Sequence, residues 1–196
     1  MTFNILATQD YQSLYQQGLL PQRNDRQLFY QESSCRSNLS QFTLSSENRR
    51  IIRKTTDFSF EKINLADFSF DLSTQKTIHH WIKNLGWDFP ISSVKYIFNH
   101  HIFNQLFIWK LKDQIVGYAI CYYHQKFSHI AYVFYNPDFA HQDLPIRMVI
   151  ETIIDSANNN LDFCYLGRFD LDKKIGYYKR NLPGFEYYQN NHWQQL

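Results

Sequence analysis

The stretch HIAYVFYNPDFAHQDLPIRMVIETIIDSANNNLDFCYLG, residues 129–167, decides the fold. It opens on an apolar run, His129–Tyr135, that reads as a strand. Pro137 follows, and proline has no N–H to give to a ladder, so pairing stops there. Asp143 is placed to cap a helix, and Pro145 suits its first turn. Ile146, Val149, Ile150, Ile153, Ile154 and Ala157 form one stripe, with Arg147, Glu151 and Asp155 outside it; this is an amphipathic helix. After it, Phe163-Cys164-Tyr165-Leu166 is a short apolar strand stopped by Gly167. A strand, a long helix and a strand of the same sheet predict a right-handed crossover to a parallel neighbour.

Upstream, Gln105–Leu111, Gln114–His124 and His129–Tyr135 are strands joined by short polar turns, an antiparallel meander. The middle one is apolar on both faces, which places it centrally. Helices are predicted from Ser73 or Thr74 to Leu85, with Gly86 as the stop, and from Ile91 to Asn99 behind Pro90. Trp81, Trp87 and Trp109 are assigned to the core. Further upstream come a helix from Asp10 to Gln17, strand-like runs at Leu28–Tyr30 and Phe42–Leu44, and a capped basic turn from Ser45 to Lys54. The texture changes near residues 70–75, giving a small basic N-terminal lobe, 1–72, and a larger α/β domain, 73–196. Meander, helix, then parallel strand is the order of a GNAT-type acyltransferase. That fold has a mixed, mostly antiparallel sheet in which the two strands flanking the helix splay apart. The gap exposes backbone N–H groups able to hold an acyl donor.

Composition narrows the function. The chain has 196 residues and is 44% hydrophobic, which excludes a disordered protein. With 20 Lys+Arg against 18 Asp+Glu, the net charge of +2 leaves nucleic-acid contact to a local patch. Cys35, Cys121 and Cys164 form no CxxC pair, and the histidines lack ligand spacing, so no metal site is expected. The opening MTFNILATQDYQSL lacks the form of a signal peptide, and no apolar run is long enough to span a bilayer. A cytoplasmic protein without a membrane partner is the expectation. CoA-dependent GNAT enzymes carry R/Q-x-x-G-x-G/A ahead of the long helix. Here Phe139-Ala140-His141-Gln142-Asp143-Leu144-Pro145 has no glycine, and Asp143 repels phosphate. No cofactor is therefore expected.

Several blocks in order carry a resemblance. They are Phe134-Tyr135-Asn136-Pro137 before the long helix, Tyr165-Leu166-Gly167 after it, then Tyr178-Lys179, Glu186 and Trp193. Upstream, Cys35-Arg36 precedes Leu44-Ser45-Ser46-Glu47-Asn48-Arg49-Arg50-Ile51-Ile52-Arg53. This resembles the aminoacyl-tRNA–protein transferases, the leucyl- and arginyltransferases of the N-degron pathway. Their strand end F-[YF]-D-P, a Y-L-G-Y strand end and a Y-K turn follow in this order. An acid then comes eight residues after the Tyr and a Trp seven residues later, as Tyr178, Glu186 and Trp193 do here. Asn136 and Arg168 depart from the family's Asp and aromatic, marking a divergent member.

The resemblance implies transfer of an amino acid from aminoacyl-tRNA to a protein or peptide N-terminus. It implies catalytic roles for Tyr178, Lys179 and Glu186. Substrate contacts fall to Tyr135, Asn136, Tyr165, Gly167, Arg168, Cys35 and Arg36, and tRNA contacts to Arg49, Arg50, Arg53 and Lys54. Taken alone, the basic run reads equally as a solvated helix face, Cys35 as a buried thiol, and Glu186 as a partner of Lys179. Asp170 and Asp172 either select a cationic donor such as arginine or cap a helix. An aminoacyl ester is already activated, so the chemistry needs positioning and oxyanion stabilisation, not a Ser/His/Asp set. Two other readings use the same residues: an acyltransferase taking acyl-CoA or another carrier, and an inactive module binding N-termini or RNA.

Overall fold

The computed structural model describes residues 4–6, 10–31 and 33–196. Parts of the opening stretch read above for a signal peptide lie outside them. A three-stranded sheet, order β1-β3-β2, is built from β1 (Asn4–Leu6), β2 (Leu19–Gln22) and β3 (Asp25–Gln31), with α1 (Tyr11–Gln16) between the first two. The other strands form one eight-stranded sheet, order β11-β10-β4-β9-β8-β7-β6-β5. They are β4 (Ser34–Asn38), β5 (Phe58–Asn64), β6 (Gln105–Leu111), β7 (Gln114–Tyr123), β8 (Phe127–Tyr135), β9 (Phe163–Arg168), β10 (Phe185–Gln189) and β11 (His192–Gln194). Helices α2 (Ser46–Lys54) and α5 (Leu144–Asn158), and α3 (Leu72–Asn84) with α4 (Ile91–Asn99), complete the fold. The meander β6-β7-β8 is antiparallel, and β8 pairs with β9 in parallel across the α5 crossover. This is the mixed α/β sheet of a GNAT-like fold. Leu72, at the change of sequence texture, opens α3, and strands from both sides of it share the large sheet.

Two apolar layers sandwich the sheet. Phe107, Trp109, Val116 and Ala119 meet Met148, Val149 and Ile153 of α5 on one face. On the other, Ile108, Tyr118, Ile120 and Phe134 meet Ile78, Trp81, Val94 and Ile97 of α3 and α4. Alternate residues of the strands feed opposite layers, as the pleat requires. A third cluster lodges Tyr15, Leu14 and Phe29 against Phe127 and Tyr165.

Three local readings are corrected. Phe42–Leu44 is irregular, not a strand; it connects a 3-10 turn to α2 and packs on the α5 layer. The cap of α3 is Asp71, whose carboxylate accepts from the Thr74 N–H at 2.7 Å, in place of Ser73 or Thr74. Asp143 stands at the head of α5 but makes no cap hydrogen bond, because its carboxylate turns to Lys54 Nζ at 2.9 Å.

The C-terminal strands are locked on by charge. Arg36 of β4 donates from Nε to Glu186 Oε2 of β10 at 2.7 Å, and Asn38 Nδ2 donates to Oε1 at 2.8 Å. The Arg36 guanidinium lies between the rings of Phe163, at 3.7 Å, and Trp193, at 4.1 Å. Both charged side chains are buried. Removing one partner of such a pair strands a buried charge, at about 3–5 kcal/mol. Glu186→Gln should therefore lower the stability read from a denaturation midpoint by about that much. A variant with the wild-type midpoint but lost activity would move Glu186 into the chemistry.

Two histidines are held neutral. Burial brings His129 down to about 3 and His101 down to about 4. Tyr15 Oη meets His129 Nδ1 at 2.7 Å, and the Gln22 carbonyl accepts from His101 Nε2 at 2.7 Å. Both values are depressed in the folded state, so this stabilisation is present above the ordinary histidine range near 6.5 and is lost as the pH falls below it. At pH 5 each histidine should destabilise the fold by about 2 kcal/mol relative to neutrality. Thermal melts from pH 7 to 4 should show the loss, and His129→Gln should reduce its slope.

Candidate active site

The site begins where β8 and β9 part. Their parallel register holds for three rungs, Phe127 with Phe163, Ser128 with Cys164 and His129 with Tyr165, and then ends. Each strand carries an extra residue just beyond the last rung. Cys121 faces Ile130 and Ile120 faces Tyr132, so Ala131 is bulged from β8. Arg36 faces Tyr165 and Cys35 faces Gly167, so Leu166 is bulged from β9. A bulge bends its strand and increases its twist. Beyond the fork β8 stays with β7 and β9 with β4, and a space opens between them.

That space is a cavity of about 550 Å³. Residues 130–135 of β8 and Leu166 of β9 form its sides, Pro145, Ile146 and Val149 of α5 cover one flank, and Trp87 and Phe89 line another. Tyr178 and Lys179 complete it. Trp87 is 40% exposed and meets Tyr135 edge-on, so the expectation of a core tryptophan is corrected for this residue but not for Trp81 or Trp109. Arg23, in the turn between β2 and β3, braces the wall: it donates to the Asp88 carbonyl at 3.3 Å and lies over the Phe89 ring.

Lys179 is placed by two glycines. Gly167 takes φ +81 and turns β9 out of its ladder. Gly176 takes φ +65, and a Cβ there would stand 2.6 Å from the Arg168 carbonyl oxygen, so only glycine lets the 3-10 turn Tyr177–Asn181 close onto the strand end. The ammonium then donates to the Leu166 carbonyl at 2.6 Å and the Arg168 carbonyl at 2.9 Å. Leu166 is the bulged residue, so Lys179 satisfies a carbonyl beside a break in the ladder. Desolvation, with Arg168 adding to it, lowers the ammonium's pKa.

The remaining residues named from sequence divide into groups. Tyr135, Tyr178 and Lys179 line the cavity. Asn136 caps the turn after β8, accepting from the Asp138 N–H at 3.1 Å. Gly167 and Arg168 form the strand end on which Lys179 rests. Cys35 is fully buried, its Sγ 3.5 Å from the Gly167 carbonyl oxygen, and burial pushes its thiol up to about 12. Tyr165 is buried among Tyr15, Phe127 and Trp193. Arg36 and Glu186 belong to the strand clamp, so Glu186 meets Arg36 and not Lys179. Asp170 caps its own turn, accepting from the Lys173 N–H at 3.0 Å and pairing with its ammonium at 3.1 Å.

The basic helix α2 bridges the two ends of the site. Asn48 Nδ2 donates to the Asn181 carbonyl at 3.5 Å, at the end of the Tyr-Lys turn, while Lys54 reaches Asp143 at the head of α5. Arg50 is held by Glu47 at 2.6 Å and lies 3.8 Å from Asp143; Arg49 donates to the Leu44 carbonyl. Arg53 is exposed and makes no hydrogen bond or ion pair among the described residues. The sequence reading gave Trp87, Phe89, Tyr132 and Ile146 no part in the site, although aromatics crowding behind Gly86 were a visible signal. Among the described residues no group of three or more His, Cys, Asp or Glu is placed to hold a metal ion, and no helix is long and apolar enough to cross a membrane.

Comparison with known proteins places the fold. No family model and no curated protein sequence matches the chain. Among solved structures, FemX superposes with a TM-score of 0.57 at 12% identity, over 98% of this chain and 71% of that one. L-PGS from Bacillus licheniformis gives 0.51 at 11% identity, over 79% of this chain and 57% of that one. The C-terminal domain of a putative lysylphosphatidylglycerol synthetase from Agrobacterium fabrum gives 0.51 at 12% identity, over 70% and 46%. The chain thus spans about half the length of these two synthetase chains. At such identities the likeness is one of fold, and the fold is GNAT-like.

Proposed function

We propose that the protein is an aminoacyltransferase that moves an amino acid from aminoacyl-tRNA to an amine, the N-terminus of a protein or peptide. The observation that carries this reading is the fork: a strand pair that separates beside a walled cavity, with an ammonium fixed at its rim. Acyl transfer needs a held carbonyl, a positioned amine and a donor aimed at the developing oxyanion. Backbone groups of β8 beyond His129 no longer pair with β9, and they offer the hold. Lys179 gives two of its three N–H donors to carbonyls and keeps one for a ligand. The head of α5 speaks for tRNA over CoA. A CoA diphosphate would take the amides at this helix start, but Asp143 sits there with its carboxylate paired to Lys54. The superposition on lysylphosphatidylglycerol synthetase structures, proteins named for a lysyl product, favours an aminoacyl donor.

In this reading Arg49, Arg50, Arg53 and Lys54 meet tRNA phosphates. Replacing Arg49, Arg50 and Arg53 together by Ala should weaken binding of charged tRNA. The slope of log K against log salt should become shallower by about 0.7–0.9 for each phosphate no longer neutralised. Unchanged tRNA affinity would make the helix a solvated face. Clear CoA binding with no tRNA binding by the wild type would replace the donor.

Lys179 serves stability as well as chemistry. Lys179→Ala leaves two carbonyls without their donor, at about 1–2 kcal/mol of stability, and should cut transfer by about two orders of magnitude. Lys179→Arg should restore transfer only in part, because a planar guanidinium cannot take the same two carbonyls and still present the third donor. Transfer assays beside melting curves separate the two effects. Full transfer by Lys179→Ala would remove Lys179 from the reaction.

A further inference from the structure

We infer that the acceptor is held by its backbone, as an extended peptide that adds to the freed edge of β8 and takes the place β9 has left. The inference rests on the aminoacyl-transfer reading above. The Asn136 N–H donates to the Val116 carbonyl at 2.8 Å, so the Asn136 backbone faces β7. Backbone groups along a strand alternate in direction with a period of two. Phe134 and Tyr132 therefore face β7 as well, and the N–H and C=O of Val133 and Tyr135 point into the gap. Both residues line the cavity, and the β9 ladder ends before it reaches them.

The two edges of the gap are not equivalent. On the β9 side Lys179 takes the Leu166 and Arg168 carbonyls, and the Gly167 carbonyl faces Cys35 Sγ. On the β8 side no strand among the described residues takes the inward groups of Val133 and Tyr135. An edge that offers an N–H and a C=O at every second residue matches a polypeptide backbone, and the mode of pairing is strand addition. Direction follows from Lys179. It rests on Leu166, just past the last shared rung, so in the transfer reading the ester carbonyl lies at the closed end of the fork. The attacking amine must come to it from the open end. An N-terminus pointing inward gives the acceptor the direction of β8, and the added strand is parallel, as β9 is below the fork. Its side chains alternate between the α5 flank, at Ile146 and Val149, and the flank of Trp87 and Phe89.

Parallel pairing engages every second peptide N–H of the added strand, and the test reads that period. Transfer is measured from total charged tRNA onto a pentapeptide library varied at its first residue. The best acceptor is then remade with one N-methyl group at a time, from the second residue to the fifth. Each methyl removes one N–H and leaves the side chain in place. The kcat/KM should fall about tenfold at two alternate positions and stay within about twofold at the two between them. The amide of the first amino acid alone should be poorer than the pentapeptide by about tenfold or more. Losses without the two-residue alternation, or full activity of the single amino-acid amide, overturn the inference and leave the aminoacyl reading standing. If no peptide of the library accepts from charged tRNA, the aminoacyl reading fails and this inference fails with it.

Discussion

The rest of the site depends on two bulges placed back to back. Ala131 interrupts the β7 side of β8, and Leu166 interrupts the β4 side of β9, each within two residues of the last shared rung. With both bent, each follows its outer neighbour and the inner edges part. Those edges carry backbone groups without a strand partner, a costly state in a dry core. The cavity and Lys179 are therefore tied to one cause. The ammonium meets the Leu166 carbonyl beside the break, and the open space gives the remaining groups access to solvent or ligand.

A fork of this kind weakens the sheet at its middle, and the surroundings hold it together. Below the last rung, Ser128 Oγ lies 2.7 Å from Ser156 Oγ of α5, fixing the crossover helix to the paired end. Arg147 of α5 donates to the Ile52 carbonyl at 2.7 Å and to Thr55 Oγ1 at 2.9 Å, which ties α5 to α2 and its C-cap. On the far side Arg36 and Glu186 clip β10 to β4, and β4 carries β9. Buried ion pairs contribute less to stability than their Coulomb energy suggests, because both charges lose water. Here the stacking of Arg36 between Phe163 and Trp193 recovers part of that loss through its weakly hydrated planar face.

How much of this could be read from the chain follows from the kind of signal each feature leaves. The meander and the crossover helix were legible because long runs such as Ile146 to Ala157 repeat at helical spacing. The strands β4, β5, β10 and β11 were not. Ser34-Cys35-Arg36-Ser37-Asn38 has neither alternation nor β-branched residues, and it becomes a strand only because β9 and β10 flank it. The bulges leave no mark in composition at all, since one extra residue is visible only against its partner strand. Tyr178 and Lys179, named through their motif, line the cavity. Glu186 was found by the same spacing, yet it meets Arg36, because position along the chain does not say which face of β10 a side chain takes. Trp87 was assigned to the core on hydrophobicity, which does not distinguish a core wall from a cavity wall.

Lys179 joins the architecture of the fork to its chemistry. A surface ammonium would have to lose hydration and rotamer freedom each time a charge developed beside it. This one has already lost part of both, since two strand-end carbonyls fix its direction and desolvation lowers its pKa. An oxyanion forming next to it would gain a charge-assisted hydrogen bond without reorganisation, the condition under which electrostatic stabilisation is largest. The same lowered pKa sets a bound on that role. The donor must stay protonated to act, so the carbonyls that orient the ammonium also serve to hold its proton against desolvation. An amine acceptor, which must be neutral to attack, profits from the opposite influence: a fixed positive charge nearby favours its unprotonated form. In the transfer proposed above, one lysine at the mouth of the fork would favour both the anionic state of the ester oxygen and the neutral state of the attacking amine.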